Sequence, residues 1–170
     1  MTEPLFPTSA NLAKVRPLRG ANVVAVASGK GGVGKTWFSV TLSQCLARAG
    51  KNALLFDGDL GLANVDIQLG FTPKIDLGAV IAGEAPLSMA AERFPDGGFD
   101  IIAGRSGSGS LAQLPSQQLS SLRNDLLALA RNYDCVVMDM GAGVDRTVRT
   151  LSGPAAITLV VTTDEPTSLT

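Results

Sequence analysis

An α/β fold built on a parallel β-sheet with helices on both faces is the class that this 170-residue sequence predicts. Three observations predict it. Five short apolar runs recur along the chain, separated by segments with helical spacing. A glycine-rich turn lies between the first run and the first helical segment. Aspartates stand at the ends of the second and fourth runs, where the ligands of such sheets gather.

The elements follow in order. Residues 1–20 hold Pro4, Pro7 and Pro17 and no periodic apolar pattern, so they read as a flexible N-terminal arm. Residues 21–170 read as one domain. Val23 to Ala27 is a buried strand, and Thr36 to Ala49 is a helix closed by Gly50. Ala53 to Phe56 is a second strand that delivers Asp57 and Asp59 to its exit. Asp76 to Ala82 reads as a short helix capped by Asp76, and Leu87 to Arg93 as another short helix. Phe99 to Ala103 is a third strand, followed by a Gly/Ser loop from Gly104 to Ser110. Leu119, Leu122, Leu126, Leu129 and Ala130 fall at helical spacing within Ser116 to Asn132, with Ser116 as its N-cap. Cys135 to Met138 is a fourth strand ending at Asp139, then a short helix spans Arg146 to Leu151, then Ile157 to Thr162 is a fifth strand.

Composition narrows the chemistry. A 45% hydrophobic and 17% charged chain suits a compact domain around a buried sheet. The net charge of −1 gives no global attraction to nucleic acid or anionic lipid. No run reaches the length of a membrane span and no signal peptide opens the chain, so a cytoplasmic location is expected. Histidine is absent, which removes Ser-His-Asp and Cys-His catalysis and the usual zinc sites. The two cysteines, Cys45 and Cys135, sit in apolar patterns and read as buried reduced thiols. Carboxylates, lysines, backbone N–H groups and a hard metal ion remain.

The turn Ser28-Gly29-Lys30-Gly31-Gly32-Val33-Gly34-Lys35-Thr36 supplies the site. Glycines allow backbone N–H groups to converge on a polyphosphate, and the helix N-terminus adds partial positive charge there. Residues Gly29 to Thr36 therefore read as the phosphate cradle of a nucleoside triphosphate. Lys35 is placed for the β- and γ-phosphates, and the Thr36 hydroxyl for Mg²⁺. Asp139, at the end of Val136-Val137-Met138 and before Gly141-Ala142-Gly143, is the metal-side carboxylate of a Walker B arrangement.

The second lysine of this loop, Lys30, is not needed by a generic phosphate loop. The K-G-G-x-G-K-T pattern resembles the deviant phosphate loop of the MinD/ParA family of dimerising ATPases. The resemblance implies a P-loop NTPase fold of the SIMIBI-like kind. It also implies an ATP-dependent homodimer in which Lys30 reaches the partner's nucleotide. Asp57-Gly58-Asp59-Leu60-Gly61-Leu62-Ala63-Asn64-Val65-Asp66 resembles the first switch segment of the MinD branch and closely that of FlhG (FleN). By that likeness Asp59 orients the attacking water and Asp57 supports the metal end, while Asn64 and Asp66 serve equally well as helix caps. Gly143-Val144-Asp145 resembles the second switch exit and brings Asp145 near nucleotide or partner. Met140 stands where related proteins often carry a small hydroxyl residue.

The resemblance runs from Ala21 to Thr170. It implies a slow Mg²⁺-dependent ATPase switch, with ATP and Mg²⁺ as cofactors and regulatory or flagellar proteins as partners. A role in the placement or number of a structure such as flagella is expected. The family continues past this point, so Thr162 to Thr170 reads as the start of elements that are absent, and membrane attachment through a C-terminal helix is not expected of this chain. The alternative is a ParA-type DNA-partitioning ATPase, but D-x-D-L-G-L-A-N differs from the D-x-D-P-Q form typical there, and DNA is not the expected partner. Among metabolic relatives, an iron–sulfur reductase needs interface cysteines that Cys45 and Cys135 do not provide. A tyrosine kinase needs a tyrosine-rich tail, yet Tyr133 is the one tyrosine. An amide synthase of the cobyrinic acid type has no need of Lys30. Thr8 to Lys14 shows no convincing activator motif for a flagellar GTPase.

Overall fold

The computed structural model describes residues 21–104 and 114–164. The arm expected at residues 1–20, most of the Gly/Ser loop, and residues 165–170 lie outside the described residues. The elements are β1 (Val23–Ser28), α1 (Lys35–Arg48), β2 (Ala53–Gly58), α2 (Val65–Leu69), α3 (Leu77–Ile81), β3 (Glu92–Phe94) and β4 (Phe99–Ile102). Then come α4 (Ser116–Leu129), β5 (Cys135–Ala142), α5 (Arg146–Ser152) and β6 (Ile157–Val160). They form one six-stranded sheet in the order β3-β4-β2-β5-β1-β6. Every pairing is parallel except β3 with β4.

The inner strands β1, β2, β4 and β5 are apolar on both faces because both faces are covered, whereas the edge strands β3 and β6 are partly exposed. On β2, Leu54 and Phe56 join a core with Val136, Met138 and the α4 residues Leu119, Leu122 and Leu126. Leu55 points the other way and packs with Val26, Phe99, Ile101 and Val137, against Val40 and Leu46 of α1. This is the period of two of a strand, read twice. No helix among the described residues is long and apolar enough to cross a membrane.

Four sequence expectations need correction. Leu87 to Arg93 is not a helix: a 3₁₀ turn covers Leu87–Met89, and β3 follows. Pro86 and Pro95 leave too little room for stable helical turns. Tertiary partners decide for the strand. Glu92 Oε1 accepts the Lys74 and Ile75 N–H groups, Arg93 pairs with Asp100 at 3.1 Å, and Phe94 packs on Phe99 with ring centroids 5.4 Å apart.

Cys45 is exposed, not buried, while Cys135 is half-buried; both thiols are free. The face of α1 turned to the sheet carries Lys35, Ser39 and Ser43, and Cys45 follows Ser43 by about half a turn, on the opposite side. Ser116 is the first helical residue of α4 and not its cap, a place taken by Pro115. Its Oγ instead accepts from Arg146 at 2.7 Å. Asp139 does not close its strand, because β5 runs on to Ala142. The cap expected at Asp76 is present, with its Oδ1 accepting from Ala79 N at 2.9 Å.

Candidate functional site

The turn from β1 into α1 opens a cavity of about 530 Å³ at the C-terminal end of the sheet. Gly32 and Gly34 hold φ of +78° and +90°, a region that side chains rarely adopt. A Cβ on Gly31, Gly32 or Gly34 would meet nothing within 4 Å, so the loop faces open space rather than protein. Lys30, Gly31, Gly32, Gly34, Lys35 and Thr36 line the cavity. Gly29, at the strand exit, and half-buried Val33 do not. From the opposite wall come Asp59, Leu62 and Asn64 after β2, Gly141 at the end of β5, and Asp145 after it. Elements far apart in sequence thus bring most of the expected site residues together.

Two aspartates stand behind this wall. Asp57 of β2 and Asp139 of β5 are register partners on neighbouring strands, 0% and 1% exposed. Lys35 Nζ donates to Asp139 Oδ1 at 2.8 Å, and Ser39 Oγ donates to the same oxygen at 3.1 Å. The pair is buried, and Lys35 enters the cavity only from this anchored position. Asp139 Oδ2 makes no hydrogen bond with a described residue, although it is buried. A buried carboxylate oxygen without a donor is costly and fits a place for a cation or its water.

Asp57 has a different posture from the metal-side one expected of it. Its Oδ1 accepts the Asp59 N–H at 3.2 Å and its Oδ2 accepts the Val65 N–H at 3.3 Å. It braces both ends of the loop that carries Asp59 and Asn64. Burial above all, and then the Asp139 charge beside it, push its carboxyl up to about 7 from an ordinary 3.8.

This makes a stability prediction. The folded state keeps the Asp57 proton up to about pH 7, whereas the unfolded chain releases it near 3.8. The folded state binds the extra proton in that window, so stability falls as pH rises through it and levels off above. The loss is on the order of 4 kcal/mol at most. Urea midpoints measured across the window should fall with pH for wild type and lie flatter for Asp57→Asn. Parallel slopes would contradict the placement of this proton.

Asp59 is half-buried, and its Oδ1 accepts the Leu62 N–H at 3.0 Å. A Cβ built on Gly141 would lie 3.4 Å from the same oxygen, so Asp59 sits over the bare backbone at the end of β5. Thr36 Oγ1 donates to Asn64 Oδ1 at 3.4 Å, which joins the phosphate loop to the Asp59 loop. Asn64 precedes α2 but makes no side-chain cap there, and Asp66 lies in the first turn of α2. Asp145 caps α5, its Oδ1 accepting from Val148 N at 2.9 Å, while also lining the cavity. Among the described residues, no group of three or more histidine, cysteine or carboxylate side chains is arranged to cage a metal by itself.

A parallel sheet with a glycine loop, an anchored lysine and two carboxylates behind its exit defines a P-loop nucleotide-binding domain. More closely, the chain belongs to the family described as the CobQ/CobB/MinD/ParA nucleotide binding domain, which matches residues 24–162. It is 43% identical over 148 residues to the antiactivator FleN of Pseudomonas aeruginosa, covering 87% of this chain and 52% of that protein. It is 32% identical to the flagellum site-determining protein YlxH of Helicobacter pylori, covering 86% and 50%. Among solved structures it superposes on the septum site-determining protein MinD of Pyrococcus horikoshii complexed with Mg-ADP. The TM-score is 0.76 at 28% identity, with 87% of this chain and 60% of that one covered. The chain spans about half the length of the curated relatives it matches.

Two residues of this site escaped the sequence reading as functional. Ser39 sits one helical turn after Lys35, a spacing that could have flagged a shared partner. Asn64 left its role undecided between cap and site, since only its lack of a cap bond separates the two.

Proposed function

We propose that this chain is the nucleotide-binding half of a MinD/FlhG-type switch that binds and slowly hydrolyses ATP and dimerises when ATP is bound. The observation that carries this reading is the buried Lys35–Asp139 pair at the mouth of the glycine loop. Its lysine is held ready for the β- and γ-phosphates, and the likeness to a MinD complexed with Mg-ADP supports it. The backbone of Gly31 to Gly34 would receive the phosphates through its N–H groups. Gly29 and Val33 shape that turn from behind. Thr36 and Asp139 would hold Mg²⁺, with Asp57 supporting them by fixing the adjacent loop. Bound there, Mg²⁺ would neutralise charge on the phosphates.

Asp59 orients a water for attack on the terminal phosphorus, and Lys30 contributes its charge to a partner subunit's nucleotide. Asp145 stays near the nucleotide or the partner as the cap of α5. The likeness to FleN and YlxH supports a role in flagellar number or placement, with regulatory or flagellar proteins as partners.

The test is ATP-dependent assembly in the full-length protein. Sedimentation should show a monomer with ADP and a dimer with ATP. Lys30→Ala should leave nucleotide binding near wild type but weaken the dimer by about tenfold, the scale of one lost charge-assisted contact. Unchanged dimerisation and turnover in Lys30→Ala would leave Lys30 as a solvated loop lysine.

A further inference from the structure

A second concavity, of about 590 Å³, lies between α4 and α5 and does not share residues with the nucleotide cavity. Arg123 and Leu127 of α4 form one wall, and Arg149 and Thr150 of α5 the other, with Pro154 at one end. No carboxylate is among its lining residues. Two guanidinium groups, Arg123 (donating to Asn124 Oδ1 at 3.2 Å) and Arg149, flank the apolar side chains of Leu127 and Pro154, in a chain whose overall charge is −1. That pattern suits a short acidic segment with interspersed apolar side chains better than a nucleic acid, which needs a longer basic track.

Arg149 also belongs to a second structure. Its Nε donates to Val144 O at 2.7 Å, in the loop that leads from Gly141 past the nucleotide cavity into α5. Arg146 fixes the other side of α5 by donating to Leu114 O at 2.6 Å and Ser116 Oγ at 2.7 Å. Asp145, Thr147 and Val148 of the same short segment line the nucleotide cavity. One seven-residue helix therefore borders both concavities, and Arg149 ties the groove to Val144 in the loop beside the nucleotide cavity.

We infer that the α4–α5 groove docks an acidic segment of a protein partner, and that Arg149 carries its arrival to the loop after β5. The transmission rests on the nucleotide reading given above; the groove does not. A carboxylate drawn to the Arg149 fork pulls on the guanidinium that holds Val144 O, and so changes how that loop closes over nucleotide. Arg123 is the anchor at the far wall and has no contact with the nucleotide cavity.

The experiment uses the whole chain and a fluorescein-labelled peptide alternating glutamate and leucine. Peptide binding is read by anisotropy, and release of a fluorescent ADP is read in the same samples. Wild type should bind the peptide and, when it does, release ADP at a rate altered by about threefold or more. Arg123→Gln should keep the peptide-free ADP release of wild type but bind peptide about tenfold more weakly. Arg123→Gln/Arg149→Gln should lose the response altogether, while Arg131→Gln, an exposed arginine outside the groove, should behave as wild type.

No peptide binding, or equal binding by wild type and the double variant, overturns the proposal. Capture of a short DNA duplex in preference to the peptide, abolished by the same substitutions, also overturns it. If ADP does not bind wild type while the peptide still does, the nucleotide reading fails and the groove stands.

Discussion

Lys35→Ala is expected to abolish saturable nucleotide binding, the largest effect of any single substitution here. Among the described residues, Lys35 brings the one buried ammonium, beside the glycine loop, and its Nζ is already fixed on Asp139 at 2.8 Å. Removing it deletes the cation for the β- and γ-phosphates and also leaves Asp139 buried with only Ser39 as donor. Breaking a buried pair from one side costs about 3–5 kcal/mol, so the single variant is also destabilised. Lys35→Ala/Asp139→Asn separates the two effects. It should recover much of the lost stability in urea denaturation but still show no saturable titration with fluorescent ATP. Near-wild-type affinity in the folded double variant would refute the phosphate-loop assignment.

Asp59→Ala should lower turnover by about two orders of magnitude while leaving ATP affinity nearly intact. Asp59 lies on the wall facing the loop and over the bare backbone of Gly141, and in the proposed role it meets the attacking water rather than the phosphates. It also holds the Leu62 N–H, and its loss loosens that loop. Asp59→Asn keeps an acceptor for Leu62 and so retains the loop while losing the charge. If turnover in Asp59→Asn matches Asp59→Ala, the carboxylate itself is required. In full-length protein either variant should accumulate as the ATP-bound dimer in size-exclusion runs. Normal turnover in both would move the water-orienting role to another carboxylate.

Much of this site was legible because the signal is local. A strand, a glycine turn and a helix within Val23 to Arg48 narrow the backbone path, and Lys30, Gly31, Gly32, Gly34, Lys35 and Thr36 of the expected cradle line the cavity while Gly29 and Val33 do not. The other parallel strands were legible as apolar runs buried on both faces, as β2 shows with no exposed residue, whereas their order in the sheet was not. What was not legible depends on contacts across the chain. The Lys35–Asp139 pair joins residues 104 apart, and the bracing by Asp57 needs a loop whose path the sequence does not state. The helix α1 misled because its sheet-facing side is serine, not leucine, so Cys45 was placed inside. Small hydroxyl side chains bond back to the helix, Ser39 to Lys35 O and Ser43 to Ser39 O, and let it sit close to the strands. At Glu92 to Phe94 a weak helical pattern lost to cross-strand partners, the usual way tertiary context overrides propensity.

In the proposed function the cavity over Gly31 to Thr36 is a Mg²⁺-dependent nucleotide site. Equilibrium titration of the wild-type chain with fluorescent ATP, with Mg²⁺ and then with excess chelator, tests it most directly. A saturable single-site curve is expected with Mg²⁺, displaced by unlabelled ADP and weakened by about tenfold or more when the metal is removed. A linear, non-saturating signal from folded protein, identical with and without Mg²⁺, would contradict it.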